Sequence, residues 1–265
     1  KNMTDPQLYQ LPYLVIRGMT VASIIAFYLF FNEGLNFVKK LFQIDGVTII
    51  GGMSLTTAFL GFIYSISYTT AAVTLFMLAL MPFLASLIAF IFLKEKISKQ
   101  NFVSMVIAFI GTLVMIYASA FSGSFFGLIM GFISSLGFAA FSVALRSKSD
   151  IKKFYILIYG GLFCALFSSL LMIINNQDFY IPIKNVYLSM THGTLVASGL
   201  ILFSIGSKQL LSGELTMLSL LEVVGGIFWA WLPILGINEV PSMNTIIGGA
   251  IICIAIAMNS YRFDK

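Results

Sequence analysis

The chain has 265 residues, of which 59% are hydrophobic and only 9% are charged. A soluble globular domain carries roughly 25% charged residues, so this composition excludes a soluble protein. The formal net charge of +5 would suit nucleic-acid binding if it formed a basic face, but the Lys and Arg residues lie in short connections between apolar runs. We therefore expect no nucleic-acid partner.

Nine apolar runs follow one another along the chain, each bounded by charged or turn-forming residues. The runs are 11–32, 47–68, 70–93, 101–121, 123–145, 153–175, 186–207, 214–237 and 244–262. Each is long enough to cross a hydrocarbon core of roughly 30 Å at about 1.5 Å per residue. They are apolar on every face and about twice as long as a barrel strand. The sequence therefore predicts an all-α polytopic membrane protein with nine helices in this chain.

The basic residues divide unequally between the two sides of this predicted bundle. Of the 15 Lys and Arg residues, Lys1, Arg17 and Lys184 fall on one side. The other twelve are Lys39, Lys40, Lys94, Lys96, Lys99, Arg146, Lys148, Lys152, Lys153, Lys208, Arg262 and Lys265. Because Lys and Arg near span ends are retained in the cytoplasm, we predict a multi-pass protein of the inner (plasma) membrane with a cytoplasmic C-terminus.

A weak internal repeat relates the two parts of the chain. Adding 144 to a residue number carries Glu95 onto Glu239 and the run 70–93 onto 214–237. The run 123–145 has no partner at this offset, because the partner would lie before residue 1. Transporter folds are commonly built from such duplicated bundles.

The repeat divides the chain into two halves. The first half, 1–121, holds four helices, and the second half, 122–265, holds five. We expect a tenth helix ahead of residue 1, which would make each half a five-helix bundle. Five is an odd number, so consecutive halves take opposite orientations in the membrane, which predicts two inverted five-helix repeats.

Two segments carry a resemblance to a known family. One is YTTAAVTLFMLALMPFLASLIAFIFLKEKIS at 68–98, with Pro82 in mid-helix, and the other is LSLLEVVGGIFWAWLPILGINEVPSMNTIIGGAIICIAIA at 218–257, which contains Glu222. In these segments the chain resembles the EamA-type permeases of the drug/metabolite transporter (DMT) superfamily. The resemblance implies ten helices in two inverted repeats, both termini in the cytoplasm, and transport of a small organic solute. Arg17 resembles the arginine that commonly opens the second helix in that family.

Ionisable or aromatic residues inside the spans are the candidate cavity or coupling residues, since a charge at mid-span costs about 2.5–3.5 kcal/mol on insertion scales. Glu222 lies near mid-membrane, where it either binds a cationic group or a coupling proton, or makes a structural hydrogen bond between helices. Arg17, about 9 Å below the outer end of its run, either faces the interior or snorkels to the headgroups. His192, at a similar depth, is either a ligand or an interfacial histidine. Trp229 is a candidate for the wall of an apolar chamber.

Three residues are hinge candidates. Pro82 removes a backbone hydrogen bond at mid-membrane, which produces either a flexing point or a static kink. Gly225 and Gly226 adjoin Glu222 and could thin their helix to make cavity space. Position 226 is the repeat partner of Pro82.

Together these observations predict a secondary transporter, a permease or exporter that moves a small organic metabolite by alternating access. It would be either coupled to protons or an exchanger, and the sequence shows no Walker-type ATP-binding loop. The alternatives are a non-transporting membrane protein and an intramembrane enzyme, which would need paired acids, a Ser/His pair or a metal cluster at matching depth. We expect no enzymatic activity, no cofactor and no metal. The expected partners are a small-molecule substrate and the lipid bilayer, and the expected state is a monomer or homodimer.

Overall fold

The computed structural model describes residues 3–117, 124–148, 152–232, 240 and 242–261. The secondary structure of this part is helical throughout. The helices are α1 (Pro6–Glu33), α2 (Asn36–Leu41), α3 (Gly46–Tyr68), α4 (Ala71–Leu78), α5 (Met81–Leu93), α6 (Lys99–Ile116), α7 (Phe125–Arg146), α8 (Lys153–Ile174), α9 (Ile183–Gly206), α10 (Ser212–Leu218), α11 (Leu221–Trp231) and α12 (Met243–Ser260).

Seven helical stretches in the described part are long and apolar enough to cross a membrane. They are Pro6–Glu33, Gly46–Tyr68, Val73–Leu93, Phe125–Arg146, Lys153–Ile174, Ile183–Gly206 and Met243–Ser260. Helix α6 is a shorter apolar helix, and the run predicted at 214–237 is divided between α10 and α11. Each of the nine predicted runs contains helix, so the prediction of an all-α polytopic membrane protein is confirmed.

Two helices that the sequence predicted as continuous are interrupted. Helix α4 ends at Leu78 and α5 begins at Met81, so Pro82 occupies the first turn of a new helix, where its missing N–H leaves no intrahelical bond unmade. The second interruption separates Leu218 from Leu221 without any proline. The first break lies near the middle of the run 70–93, whereas the second lies in the first third of the run 214–237.

The last helices of the two halves begin in the same way. The Ser98 hydroxyl accepts a hydrogen bond from the Asn101 N–H at the start of α6, and Ser242 accepts one from the Thr245 N–H at the start of α12. Serine at this position satisfies a donor that has no partner within the helix. Both helices contain 18 residues and are separated by the offset of 144 that the sequence showed. The division between 121 and 122 lies outside the described residues and stays a prediction.

Buried apolar side chains form two separate clusters. The first core unit joins α1, α3, α7, α8 and α9 around residues such as Leu14, Leu55 and Ile156. The second core unit joins α4, α5, α6, α10, α11 and α12 around residues such as Met105 and Met217. Each core unit therefore contains helices from both halves of the sequence.

Two reciprocal glycine contacts hold repeat-related helices together. A Cβ on Gly18 would lie 2.6 Å from the carbonyl oxygen of Gly161, and one on Gly161 would lie 2.7 Å from that of Gly18. At the crossing of α6 and α12, the corresponding distances are 2.9 Å for Gly111 and 2.4 Å for Gly248. Such distances leave no room for a side chain, so the helix backbones pack directly against each other.

Candidate substrate site

Arg17 lies deeper in the bundle than the sequence indicated. Helix α1 begins at Pro6, so Arg17 is 11 residues, or about 16 Å, along it. The residue is only 4% exposed, and its guanidinium carbon lies 4.2 Å from the centroid of the Phe59 ring on α3. This cation–π contact directs the side chain toward α3 and away from the helix ends.

The guanidinium has unused hydrogen-bonding capacity. Its Nε and Nη1 atoms are buried and have no hydrogen-bond partner among the described residues. Two turns earlier on the same face of α1, the Oε1 atom of Gln10 is buried and also unpartnered there. An uncompensated buried charge is costly, so these donors of Arg17 would gain from a partner.

His192 lies beside Arg17 and has a protein partner. Its Nδ1 atom is 2.9 Å from the Tyr13 hydroxyl, one turn of α1 before Arg17. The Ser189 hydroxyl donates to the Tyr13 carbonyl oxygen at 2.7 Å, which fixes α9 against α1. The Arg17 charge acts on both Tyr13 and His192.

Glu222 reaches the same region from the second core unit. It is the second residue of α11, immediately after the interruption, where a carboxylate suits the positive end of the helix dipole. Its side chain is solvent-accessible yet interacts electrostatically with Arg17. No direct ion pair joins the two groups in the described part of the chain. The two opposite charges therefore interact without contact, and the space that separates them, which we call the gap, lies between the core units.

The rest of α11 borders open space. A Cβ added to Gly225 or Gly226 would meet nothing within 4 Å. Both glycines lie inside α11, after the interruption, and their role as hinges stays a prediction. The side chain of Trp229 lies outside the described part of the chain. Among the sequence candidates, the structure thus brings Arg17, His192 and Glu222 into one group, which we call the Arg17 cluster together with Tyr13 and Phe59.

A polar network closes the end of the bundle at which α7 ends and α8 begins, which we call the basic end. Arg146 donates from Nε to Glu95 Oε1 at 3.1 Å and from Nη1 to the carbonyl oxygens of Ser207 and Lys208 at 3.1 and 2.8 Å. The second carboxylate oxygen of Glu95 accepts from the Ser212 N–H at 3.1 Å. Arg146 belongs to the first core unit and Glu95 to the second, so this network ties the units together.

Glu214 extends the network within the second core unit. Its carboxylate accepts from the Leu211 N–H at 3.1 Å and from the Asn101 side-chain amide at 3.2 Å. This arrangement fixes the start of α10 against α6 beneath the Arg146 link.

Comparison with known proteins finds a family match in the first part of the chain. Residues 9–117, which contain Tyr13, Arg17, Phe59 and Glu95, match the EamA-like transporter family. Over these residues the chain is EamA-like. The resemblance drawn from the sequence is thereby confirmed.

The chain is also similar to a curated exporter and to a solved structure. It is 25% identical over 200 residues to the Pseudopaline exporter CntI of Pseudomonas aeruginosa, a match that covers 73% of this chain and 67% of that protein. A crystal structure of another protein superposes with a TM-score of 0.74 at 17% identity, over 94% of this chain and 86% of that one. The second similarity shows a shared fold. Taken together, the family and the exporter support a membrane permease or exporter.

The structure adds two residues to the candidate site that the sequence did not indicate. Phe59 is one of 26 phenylalanines, and nothing in its local sequence distinguishes it. Arg146 was assigned only to the basic side, although it is the partner of Glu95. Among the described residues, no group of three or more His, Cys, Asp or Glu side chains is placed to hold a metal ion.

Proposed function

We propose that this EamA-like permease is a secondary transporter that moves a small organic metabolite by alternating access. The observation that carries the proposal is the gap between Arg17 and Glu222, because the two residues belong to different core units. A solute bound in this gap would contact both units. Relative movement of the units would then expose the solute to one side of the membrane and afterwards to the other.

The basic-end network supports this mechanism. Arg146 and Glu95 link the core units directly, so opening toward the basic end requires their ion pair to break. At the opposite end, the Gln7 side chain donates to the Ser67 carbonyl oxygen, which joins two helices of the same unit. We propose that the structure represents the state closed at the basic end.

Two further observations support a direction of transport and a location for the protein in the cell. The excess of basic residues at this end supports its placement in the cytoplasm. We propose on this basis a cytoplasmic C-terminus, and an inner (plasma) membrane as the location of the protein. The similarity to a protein named as an exporter supports outward transport. We propose a transport role without enzymatic activity, carried out by a monomer or a homodimer in the bilayer.

Glu222 is the residue that would couple transport to protons. A carboxylate that is solvent-accessible can exchange a proton with the solution. Because Glu222 also interacts with the Arg17 cation, its affinity for the proton should change when a solute enters the gap. Glu222→Gln should abolish the pH dependence of transport while leaving folding intact, and Glu222→Asp, which keeps the carboxylate, should retain it. Unchanged pH dependence in Glu222→Gln would remove the coupling role.

The test of the proposed function is metabolite profiling of vesicles that contain the protein, with and without an imposed pH gradient. Vesicles without the protein are the control. At least one solute should accumulate or drain only when the protein is present. If no solute moves under any gradient, the transport proposal is refuted.

A further inference from the structure

We infer that the Arg17 cluster binds the carboxylate of a small, singly charged organic acid, with the Arg17 guanidinium as its anchor. This inference names the substrate class of the site and rests on the transport function proposed above. It depends on three features of the cluster: the unpartnered guanidinium, the single positive charge, and the opposing carboxylate.

The first feature is that the guanidinium is prepared for a ligand. Nε and Nη1 of Arg17 are buried without a hydrogen-bond partner in the described part of the chain, although the ring of Phe59 holds the group in place. A guanidinium fixed by stacking has already lost much of its conformational freedom, so a ligand bound to it loses less entropy. The planar N–H donors match the geometry of a carboxylate, and a charge-assisted bond in a water-poor site is strong.

The depth of Arg17 limits the source of the anion. Arg17 is about 16 Å along α1, which places it well inside the bundle. A lipid headgroup at the membrane surface is therefore too far away to supply the anion. The ligand must be a solute that enters the gap.

The second feature limits the charge of the ligand. The groups on which the Arg17 charge acts are Tyr13 on the same helix, Cys164 on α8, His192 on α9 and Glu222 on α11. Arg17 is the one basic side chain of this group that is always protonated. When Glu222 carries a proton, one carboxylate neutralises Arg17, whereas a phosphate or sulfate dianion would leave an uncompensated negative charge beside the buried guanidinium.

The third feature is that Glu222 competes with the ligand. Among the described residues of the second core unit, Glu222 is the acidic group that acts on the Arg17 charge, and it acts without an ion pair. An incoming carboxylate would take over the interaction with Arg17 and would be repelled by Glu222. Removing the charge of Glu222 should therefore strengthen acid binding, whereas a site for cations would respond in the opposite direction.

The experiment measures binding of benzoate and of its uncharged isostere benzamide to the purified full chain in detergent, by calorimetric titration and by the thermal shift. Benzoate should bind and benzamide should not. Arg17→Gln should weaken benzoate binding at least tenfold, and Glu222→Gln should strengthen it several-fold. The control is Lys184→Gln, which removes an exposed positive charge near the start of α9. It should leave benzoate binding unchanged.

The thermal stability of Arg17→Gln separates a binding role from a structural one. Because the substitution removes a buried charge that lacks a partner, its melting temperature should equal or exceed that of the unaltered protein. A large fall would mean that Arg17 is a structural residue and would overturn the inference. So would benzamide binding as tightly as benzoate, benzoate binding that survives Arg17→Gln, or weaker benzoate binding in Glu222→Gln.

The comparison of an acid with its uncharged amide is repeated for acids of other sizes, with acetate against acetamide and hippurate against its amide. If none of the acids binds in an Arg17-dependent way, the inference fails. Vesicle profiling keeps the two proposals distinguishable. Transport of solutes that lack a carboxylate, unaffected by Arg17→Gln, would leave the proposed function standing while the acid site is refuted.

Discussion

The two interrupted helices occupy equivalent places in the two halves but are packed differently. In the first half, Thr74 of α4 shares a 2.9 Å hydrogen bond with Ser65, and the Met77 carbonyl oxygen accepts from Ser135. In the second half, α11 has open space at Gly225 and Gly226. The first interruption is thus held by neighbouring helices, whereas the second presents a carboxylate and two glycines to a gap.

We expect the two interruptions to have different roles, the first in stability and the second in transport. Substitutions around α4 should act mainly on stability, because polar and backbone contacts are lost there. Substitutions on α11 should act mainly on transport, because few contacts are lost and the gap changes shape. Of the four predictions that follow, from the largest expected effect to the smallest, the first and the third test this difference directly, and the other two concern the basic end and an exposed ion pair.

A bulky residue at Gly131 should cause the largest loss of stability. A Cβ there would lie 2.9 Å from the Met77 Cβ and from the Ser65 hydroxyl oxygen, so Gly131→Leu should lower the free energy of unfolding by about 3 kcal/mol. Gly226→Leu, which meets open space, should change it by less than about 0.5 kcal/mol and should reduce transport. Thermal unfolding in detergent and vesicle uptake measure the two effects. Equal losses of stability would contradict the comparison.

The Arg146 link should contribute the next effect. Arg146→Ala leaves Glu95 and two carbonyl groups without their donor, which should destabilise the protein by about 1–2 kcal/mol and favour opening at the basic end. A cysteine introduced at the buried position Ser86 should then react faster with a charged thiol reagent added from that side. Lys39→Ala, which removes an exposed charge on α2, is the control. Unchanged labelling in Arg146→Ala would refute the closing role.

Thr74→Val should have a smaller effect confined to the first interruption. It keeps the shape of the side chain and removes the buried hydrogen bond with Ser65, which should cost about 1 kcal/mol. Ser219→Ala at the second interruption removes only a weak 3.4 Å bond to the Leu215 carbonyl oxygen and should cost a few tenths of that. The melting temperatures of the two variants measure these effects. A larger fall in melting temperature for Ser219→Ala than for Thr74→Val would contradict the expected difference between the interruptions.

The ion pair between Asp45 and Lys148 is exposed, and we expect it to contribute less to stability than the Arg146 link or the buried Thr74 hydrogen bond. The hydrogen bond from Lys148 lowers the pKa of Asp45 to about 2, and the Thr48 N–H acts in the same direction. Since the pKa is lowered, the stabilisation is present above the usual value near 3.8 and is lost as the pH falls from there through about 2.

The Asp45 side chain is 52% exposed, so solvent screening limits the contribution to below about 1 kcal/mol. Asp45→Asn retains an oxygen that can cap α3 but loses the charge, so its stability should depend less on pH in this window. Melting curves recorded across the acidic range measure the difference. A steeper pH dependence in Asp45→Asn would contradict this assignment.

The apolar runs and Pro82 made much of the fold predictable. Length and hydropathy are sufficient to locate membrane helices, since each must satisfy its own backbone hydrogen bonds. Pro82 marked the first interruption because it lacks an N–H. The second interruption carries no such residue at Ser219 and Leu220. The short helix α2 was also missed, because six residues, none of them fully buried, are too few to produce an apolar run.

The candidate site was predictable only as separate residues. The cost of charge in a membrane singled out Arg17 and Glu222, but they are 205 positions apart in the chain, and their meeting depends on how α1 and α11 are rotated about their axes. Hydropathy that is high on every face carries no information about that rotation. The link between Arg146 and Glu95 was missed because both lie at helix ends, 51 positions apart in the chain, and hydropathy does not indicate which helix ends are neighbours.

The reciprocal glycine contacts limit how this protein can change. When a large residue is introduced into an ordinary core, trimming its neighbour can restore the fit. At Gly18 and Gly161, and again at Gly111 and Gly248, the neighbour is already the smallest residue and the obstacle is a carbonyl oxygen. Neither partner can compensate for the other, so second-site suppressors of a substitution at one glycine should arise elsewhere, through displacement of a whole helix.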